Sequence, residues 1–496
     1  MSAIEADSVY APQRWGLSVE AIADLGERLH RVWERFRIRF RTKTQDPSAH
    51  ALTYLRGLLH MESKRNYANI ARRVNGLSDD GQAVQNFMSD SPWEPQGVFD
   101  QIQRELQARP ALRGGMLTLD ESGDERAGDQ SAGAARQHLG RFGKVDLGQV
   151  GVALGYYQAG TWALVDASLF LPEHWFDAAH ADLRKKLHIP STASFASKPR
   201  LGLRLIEHAR ANGLEFEVIG CDSLYGRNSL LRAALDTAHC LYMAAVPCNT
   251  LVYLAEPLLG VPPTPAGKFG RPFAQTQVLN GVQPQRVDAL SQHPGWPLQP
   301  IDLRPCERGL LTYRCAARRV WTISANDQVR VEWLFLRREP DDSFSYSLSN
   351  APAETALERL AHWRSLRYFA ERIFQDAKSE GGWDELIARK YRAWMHHAAL
   401  DALALWFIAE TKLDWAVAQP RDPQLTRELQ VQALPALSMA NVRELLRAAM
   451  PLPRLSVDEA TQLVVTHLVK RTASTRSRLK AQRRQRRAES KKRHPD

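Results

Sequence analysis

No apolar run in the 496 residues is long enough to span a bilayer, which argues against a membrane protein. The opening stretch, MSAIEADSVYAPQRW, is acidic and polar and lacks the apolar core of a secretory leader, so a soluble intracellular protein is expected. Cysteine is scarce. Cys221, Cys240, Cys248, Cys306 and Cys315 include no CxxC pair, so neither a zinc site nor a disulfide framework is indicated and buried free thiols are expected. No internal repeat is found. What remains is an ordinary globular composition, 44% hydrophobic and 24% charged, with length for roughly two to four domains.

The formal charge of +11 is unevenly placed. From Arg471 to Asp496 eleven Lys/Arg oppose only Glu489 and Asp496, a net of +9, so the rest of the chain is close to neutral. A basic tail on a near-neutral body suits a polyanion, most simply nucleic acid; an unstructured solubilising tail is the plainer alternative.

Residues 1–108 read as helical. Ser63–Val74 and Gln82–Met88, joined by a Gly-containing turn, have the outline of a helix-turn-helix, although many helical bundles contain such a pair. Lys64 and Arg65 on the first helix could meet phosphates, and Gln82 and Gln85 on the second could meet base edges. From Gly115 the pattern turns to strands. MLTLDESG is an apolar run expected to end at Asp120, and EFEVIGCDSLYG runs out at Asp222 before a turn at Tyr225-Gly226. Residues 227–350 offer short β runs around a Pro/Gly-rich loop, Pro257–Pro300, and read as a β-rich insertion. Residues 351–412 and 413–469 return to helix, and 470–496 form a basic tail expected to be disordered.

RYFAERIFQDAK, Arg367–Lys378, reads as helix, and Arg367, Glu371, Phe374 and Lys378 fall on one stripe of it. Alone, this is an ordinary solvated face with ion pairs. With Asp120 and Asp222 at strand ends it becomes a set of three acids. Phosphodiester cleavage without a covalent intermediate needs an activated water or 3′-hydroxyl and a stabilised leaving oxyanion. Two Mg²⁺ about 3.5–4 Å apart serve both ends of the displacement. Mg²⁺ takes carboxylate oxygens and keeps several waters, so a few acids at a sheet edge suffice.

These pieces, with LDESGDERAG, LFLPEHWF, GCDSLYG, YSLSNAP and RYFAERIFQDAKSEGGWDE, resemble the DDE transposases of bacterial insertion sequences, in particular the branch with a Tyr-Arg-Glu-Lys signature. Arg367, Glu371 and Lys378 keep that signature's spacing, while Arg364 stands where the tyrosine is expected. The resemblance covers roughly Tyr54 to Leu405. It implies an α/β chain: a ribonuclease-H-like core (109–226 and 351–412) interrupted by the insertion, with a helical, DNA-binding N-terminal domain. It implies that Asp120, Asp222 and Glu371 are catalytic and bind two Mg²⁺, with Mn²⁺ as a substitute, and that Arg367, Lys378 and Tyr225 contact DNA. The partners implied are double-stranded DNA, both terminal inverted repeats and target, and a second copy of the chain on DNA, with no membrane and a nucleoid location. A DNA-binding regulator on the same fold that has lost cleavage is the alternative.

Overall fold

A computed structural model describes residues 7–263, 274–291, 293, 295–306, 309–453 and 456–493. Lys268 and Arg271 of the expected loop lie outside them. The N-terminal helices are α1 (Leu25–Phe36), α2 (Ser48–His60), α3 (Tyr67–Asn75), α4 (Gln82–Ser89) and α5 (Gln96–Gln107). Six strands follow: β1 (Gly115–Glu125), β2 (Ala135–Leu139), β3 (Lys144–Gln158), β4 (Thr161–Leu169), β5 (Phe216–Cys221) and β6 (Tyr242–Val246), with α6 (Lys198–Ala211) and α7 (Ser229–Thr237) between the later ones. Then come β7 (Gln299–Cys306), β8 (Gly309–Ile323), β9 (Val329–Arg338) and β10 (Phe344–Ser349). Helices α8 (Leu357–Leu366), α9 (Tyr368–Asp376), α10 (Tyr391–Ala418), α11 (Met439–Ala449) and α12 (Val457–Arg493) complete the chain.

All ten of these strands form one mixed sheet, in the order β7-β8-β9-β10-β6-β5-β1-β3-β2 with β4 also paired to β3. β1, β5 and β6 are mutually parallel and the other pairs antiparallel. This is the α/β architecture expected of a ribonuclease-H-like core. The insertion does not stand apart from it. Tyr346–Ser349 of β10 pairs directly with Met243–Val246 of β6, so its strands extend the same sheet that carries β1 and β5. Alternating apolar runs announce strands in a sequence, but not which edge they join.

Nor is the N-terminal region a separate body. One buried apolar cluster runs from Leu25, Phe36 and Tyr54 through Leu119 and Leu154 to Trp406 and Leu446. Helix α10 lies at its centre and is buried on every side from Ala398 to Ala409, as an all-round apolar helix must be. His396 and His397 are buried in it: His396 contacts the main-chain oxygens of Met88 and Trp93, and His397 the Tyr54 hydroxyl.

The basic tail differs from expectation. Val457–Arg493 is a single α-helix. Charge density favours disorder, but Ala, Arg, Lys, Gln and Leu are strong helix formers, and the side chains from Arg471 to Arg484 stay in solvent.

Candidate active site

Asp120 is an interior residue of β1, not its last one; the strand runs on to Glu125 because β3 continues opposite it, Asp120 facing Ala153 and Glu125 facing Gly148. Alternation along the strand separates the crowded acids. Leu119 packs on Gly202 of α6, and Glu121 pairs with Lys198 of the same helix at 2.8 Å. Thr118 and Asp120 take the other face, under α9. There Gly155 lets the helix approach: a Cβ on it would stand 2.4 Å from Ile373 Cδ1.

Asp222 follows β5, whose last residue Cys221 pairs with Leu119, so the two aspartates emerge on adjacent parallel strands. Its Oδ1 caps the short helix Ser223–Gly226, accepting from the N–H groups of Leu224 at 2.9 Å and Tyr225 at 3.3 Å. That cap explains the Asp-x-x-Tyr-Gly spacing. Gly226 is needed because a Cβ there would lie 1.9 Å from Ala245 O on β6.

Glu371 occupies the first turn of α9, where the helix dipole favours a carboxylate. Arg367, at the joint of α8 and α9, holds the group together: its Nη1 lies 3.8 Å from Asp120 Oδ2 and 3.7 Å from Glu371 Oε1. Asp120's side chain is 18% exposed, Arg367's 21% and Glu371's 67%. Burial first, and then the Asp222 carboxylate, push the Asp120 carboxyl up to about 7, against the pull of Arg367. A second hard carboxylate close enough to raise the cost of ionising Asp120 suits a divalent cation. Glu371 does not complete the group as it stands. Among the described residues no cluster of three or more Asp, Glu, His or Cys is close enough to hold a metal ion, and Arg367 lies between Glu371 and Asp120.

The remaining expected residues divide. Lys64, Gln82 and Gln85 are exposed. Lys378 is half-buried on a π-helical turn, Ala377–Gly381, so the α-helical stripe through Glu371 does not continue to it unbroken. Arg65 and Tyr225 are not at the surface. Arg65 is buried against Glu385 at 2.6 Å. Tyr225 is 0% exposed, and its hydroxyl has no hydrogen-bond partner among the described residues. The exposed surface expected of a DNA contact is therefore not found at either; a motif shows a residue's identity, not its burial. Gly143 and Lys144 form a hairpin end, Lys144 pairing with Glu125 and Asp146.

Sequence reasoning missed a group of arginines beside the acids. Arg364, at the tyrosine position, has its pKa lowered to about 9 by burial and then by Arg337 and Arg367. Arg304 stacks over Phe369 of α9, and Arg337 over Tyr313. Arg304 and Arg337 stand on separate strands, β7 and β9, so no local pattern announced them; Arg367 was visible as part of the signature and Arg364 as a departure from it.

Residues 36–304 match the family described as DDE superfamily endonuclease, a span of more than half the chain that includes Asp120 and Asp222. A probable transposase for insertion sequence element IS701 from Microchaete diplosiphon is 24% identical over 351 residues, covering 69% of this chain and 78% of that protein. With two aspartates on adjacent parallel strands and an acid-bearing helix laid across them, the chain belongs to the DDE superfamily of endonucleases.

Proposed function

We propose that the protein is a transposase that binds the ends of its element, cleaves their phosphodiesters and joins the 3′-hydroxyls to target DNA. The observation that supports this reading is that Asp120 and Asp222 emerge on adjacent parallel strands, with Arg367 bridging from Asp120 to Glu371 on the helix above. Asp120 and Asp222, with Glu371, are the residues to hold Mg²⁺, or Mn²⁺ in its place. Divalent ions bound there lower the pKa of the attacking hydroxyl and neutralise the leaving oxyanion.

Arg367 has a part of its own. Without DNA it is the counter-ion of Asp120 and Glu371. A DNA phosphate offers the guanidinium a better, bidentate partner. Moving to it frees both carboxylates in the presence of substrate. Lys378 adds a second positive charge to the scissile region. Exposed Lys64, Gln82 and Gln85 and the basic half of α12 bind double-stranded DNA away from the cut. Two ends must be cut together, so the working form is a dimer on DNA, with the nucleoid as its location.

Labelled element ends, Mg²⁺ and the Asp222→Asn variant test this. The parent should cut and the variant should bind without cutting. The second reading, a DNA-binding regulator without cleavage, draws on the ungrouped position of Glu371; a parent that binds ends specifically and never cuts them would establish it.

A further inference from the structure

The turn Ala377–Gly381 follows the Glu371 helix directly and carries Lys378. Single π turns in helices are rare and frequent at functional sites. This one is held from elsewhere. Arg443, on α11, is buried. Its Nε donates to Leu59 O at 2.8 Å and its Nη2 to Met61 O at 2.7 Å, while Nη1 donates to Ser379 O at 2.8 Å and Glu380 Oε2 at 2.7 Å. Arg65, in the link between α2 and α3, converges on the same atoms. Its Nε donates to Met61 O at 2.9 Å and its Nη2 to Ser379 O at 3.3 Å, and its main-chain N–H and Nη1 take the two oxygens of Glu385 at 2.8 and 2.6 Å. The turn is closed from its other end by Gly381 and Gly382: a Cβ on the first would stand 1.5 Å from Asp401 Oδ1, and on the second 2.8 Å from Arg65 Nη1.

Placing two guanidinium groups side by side in the interior is an expensive way to fill space; apolar residues of similar volume often serve stability as well or better. What a guanidinium supplies that a hydrocarbon cannot is direction, a planar fork that fixes several acceptors at once. Here the acceptors are Leu59 O in the last turn of α2, the O of its capping residue Met61, and the carbonyl one residue beyond Lys378. Lys64, next to Arg65, is exposed, and Asn66, on its other side, caps α3.

We infer that Arg443 and Arg65 are positioning residues for strand cleavage, which hold the Ala377–Gly381 turn so that Lys378 meets the DNA phosphate beside Asp120 and Asp222, and which tie that placement to the α3–α4 pair. The inference rests on the nuclease reading above. It makes Arg443 act through Lys378, and that coupling can be measured. Single-turnover cleavage of pre-bound element ends is compared for the parent, Lys378→Ala, Arg443→Ala and the double variant, alongside DNA affinity and a melting curve. Arg443→Ala should slow cleavage by about 100-fold, the scale of a small misplacement of a reacting group, with affinity changed less than about threefold. Lys378→Ala should then cost far less in the Arg443→Ala background than in the parent, the signature of two residues on one path. Added guanidinium ion should restore part of the Arg443→Ala rate, and alkylammonium should not. Should Arg443→Ala prove unfolded by its melting curve, Glu380→Gln carries the same cycle while leaving the arginine its bonds to Leu59 and Met61. Additive losses, or equal losses in affinity and rate, overturn the inference and leave the nuclease reading intact. A parent that never cuts overturns both.

Discussion

Beside the acids, Arg367 stands 3.7 Å from Glu371 and 3.8 Å from Asp120, each pair at the long edge of an ion pair. On α11, Arg443 meets Leu59, Met61, Ser379 and Glu380 at 2.7–2.8 Å. One arginine is loosely paired and partly in solvent; the other is buried with its fork filled. The acids follow suit. Asp120 is held near a pKa of 7 by burial and a like charge, while Glu380 is paired with Arg443. Slack in the first place lets a ligand substitute for a protein partner. Tightness in the second means a main-chain segment keeps its place while that happens.

The contrast between the two places breaks first at the acids. Asp120→Asn, Asp222→Asn and Glu371→Gln should each lower cleavage by at least about 10³-fold, as expected for members of a group that acts as a unit. Stability should scarcely fall, and Asp120→Asn should raise the melting temperature by removing a strained charge. Next, Arg443→Ala should destabilise the fold by about 3–5 kcal/mol, because Glu380 is left unpaired in the interior. Arg367→Ala should change it by no more than about 1 kcal/mol in a denaturant titration, as for solvent-exposed pairs.

The pH profile separates the regions further. Asp120's folded pKa of about 7 lies above its ordinary 3.8, so its ionisation costs the metal-free fold stability. That cost is absent below the ordinary value, grows as pH rises, and is complete above about 7. Melting temperature without cations should therefore fall across this window, and Asp120→Asn should flatten the fall. Cation binding requires the ionised form, so Mg²⁺-dependent cleavage should rise about tenfold per pH unit and level off near 7. A smaller effect is expected of Arg367→Gln. Without DNA it should bind Mn²⁺ more tightly than the parent, by an order of magnitude or so, since a competing charge has gone; with DNA it should cut more slowly. Smallest per residue is the basic half of α12. Deleting Arg471–Asp496 should flatten the salt dependence of binding by about 0.9 in log–log slope for each phosphate no longer neutralised, without sequence preference.

How much of this was legible in the sequence depends on the kind of information. The Glu371 helix, the strand before Asp222 and the Asp-x-x-Tyr-Gly turn are local, and periodicity exposed them. The α/β class followed from the family resemblance, with which the same runs agree. Asp120 was placed at the strand's end, because charged residues normally end a strand; here Glu121, Asp124 and Glu125 continue it, Glu121 finding Lys198 on the opposite face. Arg65 read as a phosphate ligand because burial is not written in a basic dipeptide, and its partners, Glu385 and Ser379, lie more than three hundred residues away. Lys378 fell off its expected stripe because Ala377–Gly381 departs from α geometry, in a turn whose neighbours Arg443 and Asp401 come from other elements.

The ladder between β10 and β6 has a mechanical consequence. A lobe attached through a flexible hinge swings open to admit a rigid rod and shuts behind it. A lobe stitched into the same pleated surface as the cutting residues cannot swing without tearing hydrogen bonds along the whole seam. On the proposed reading, a duplex bound against this sheet would have to do the yielding, and sequences that kink or fray readily would be taken most easily.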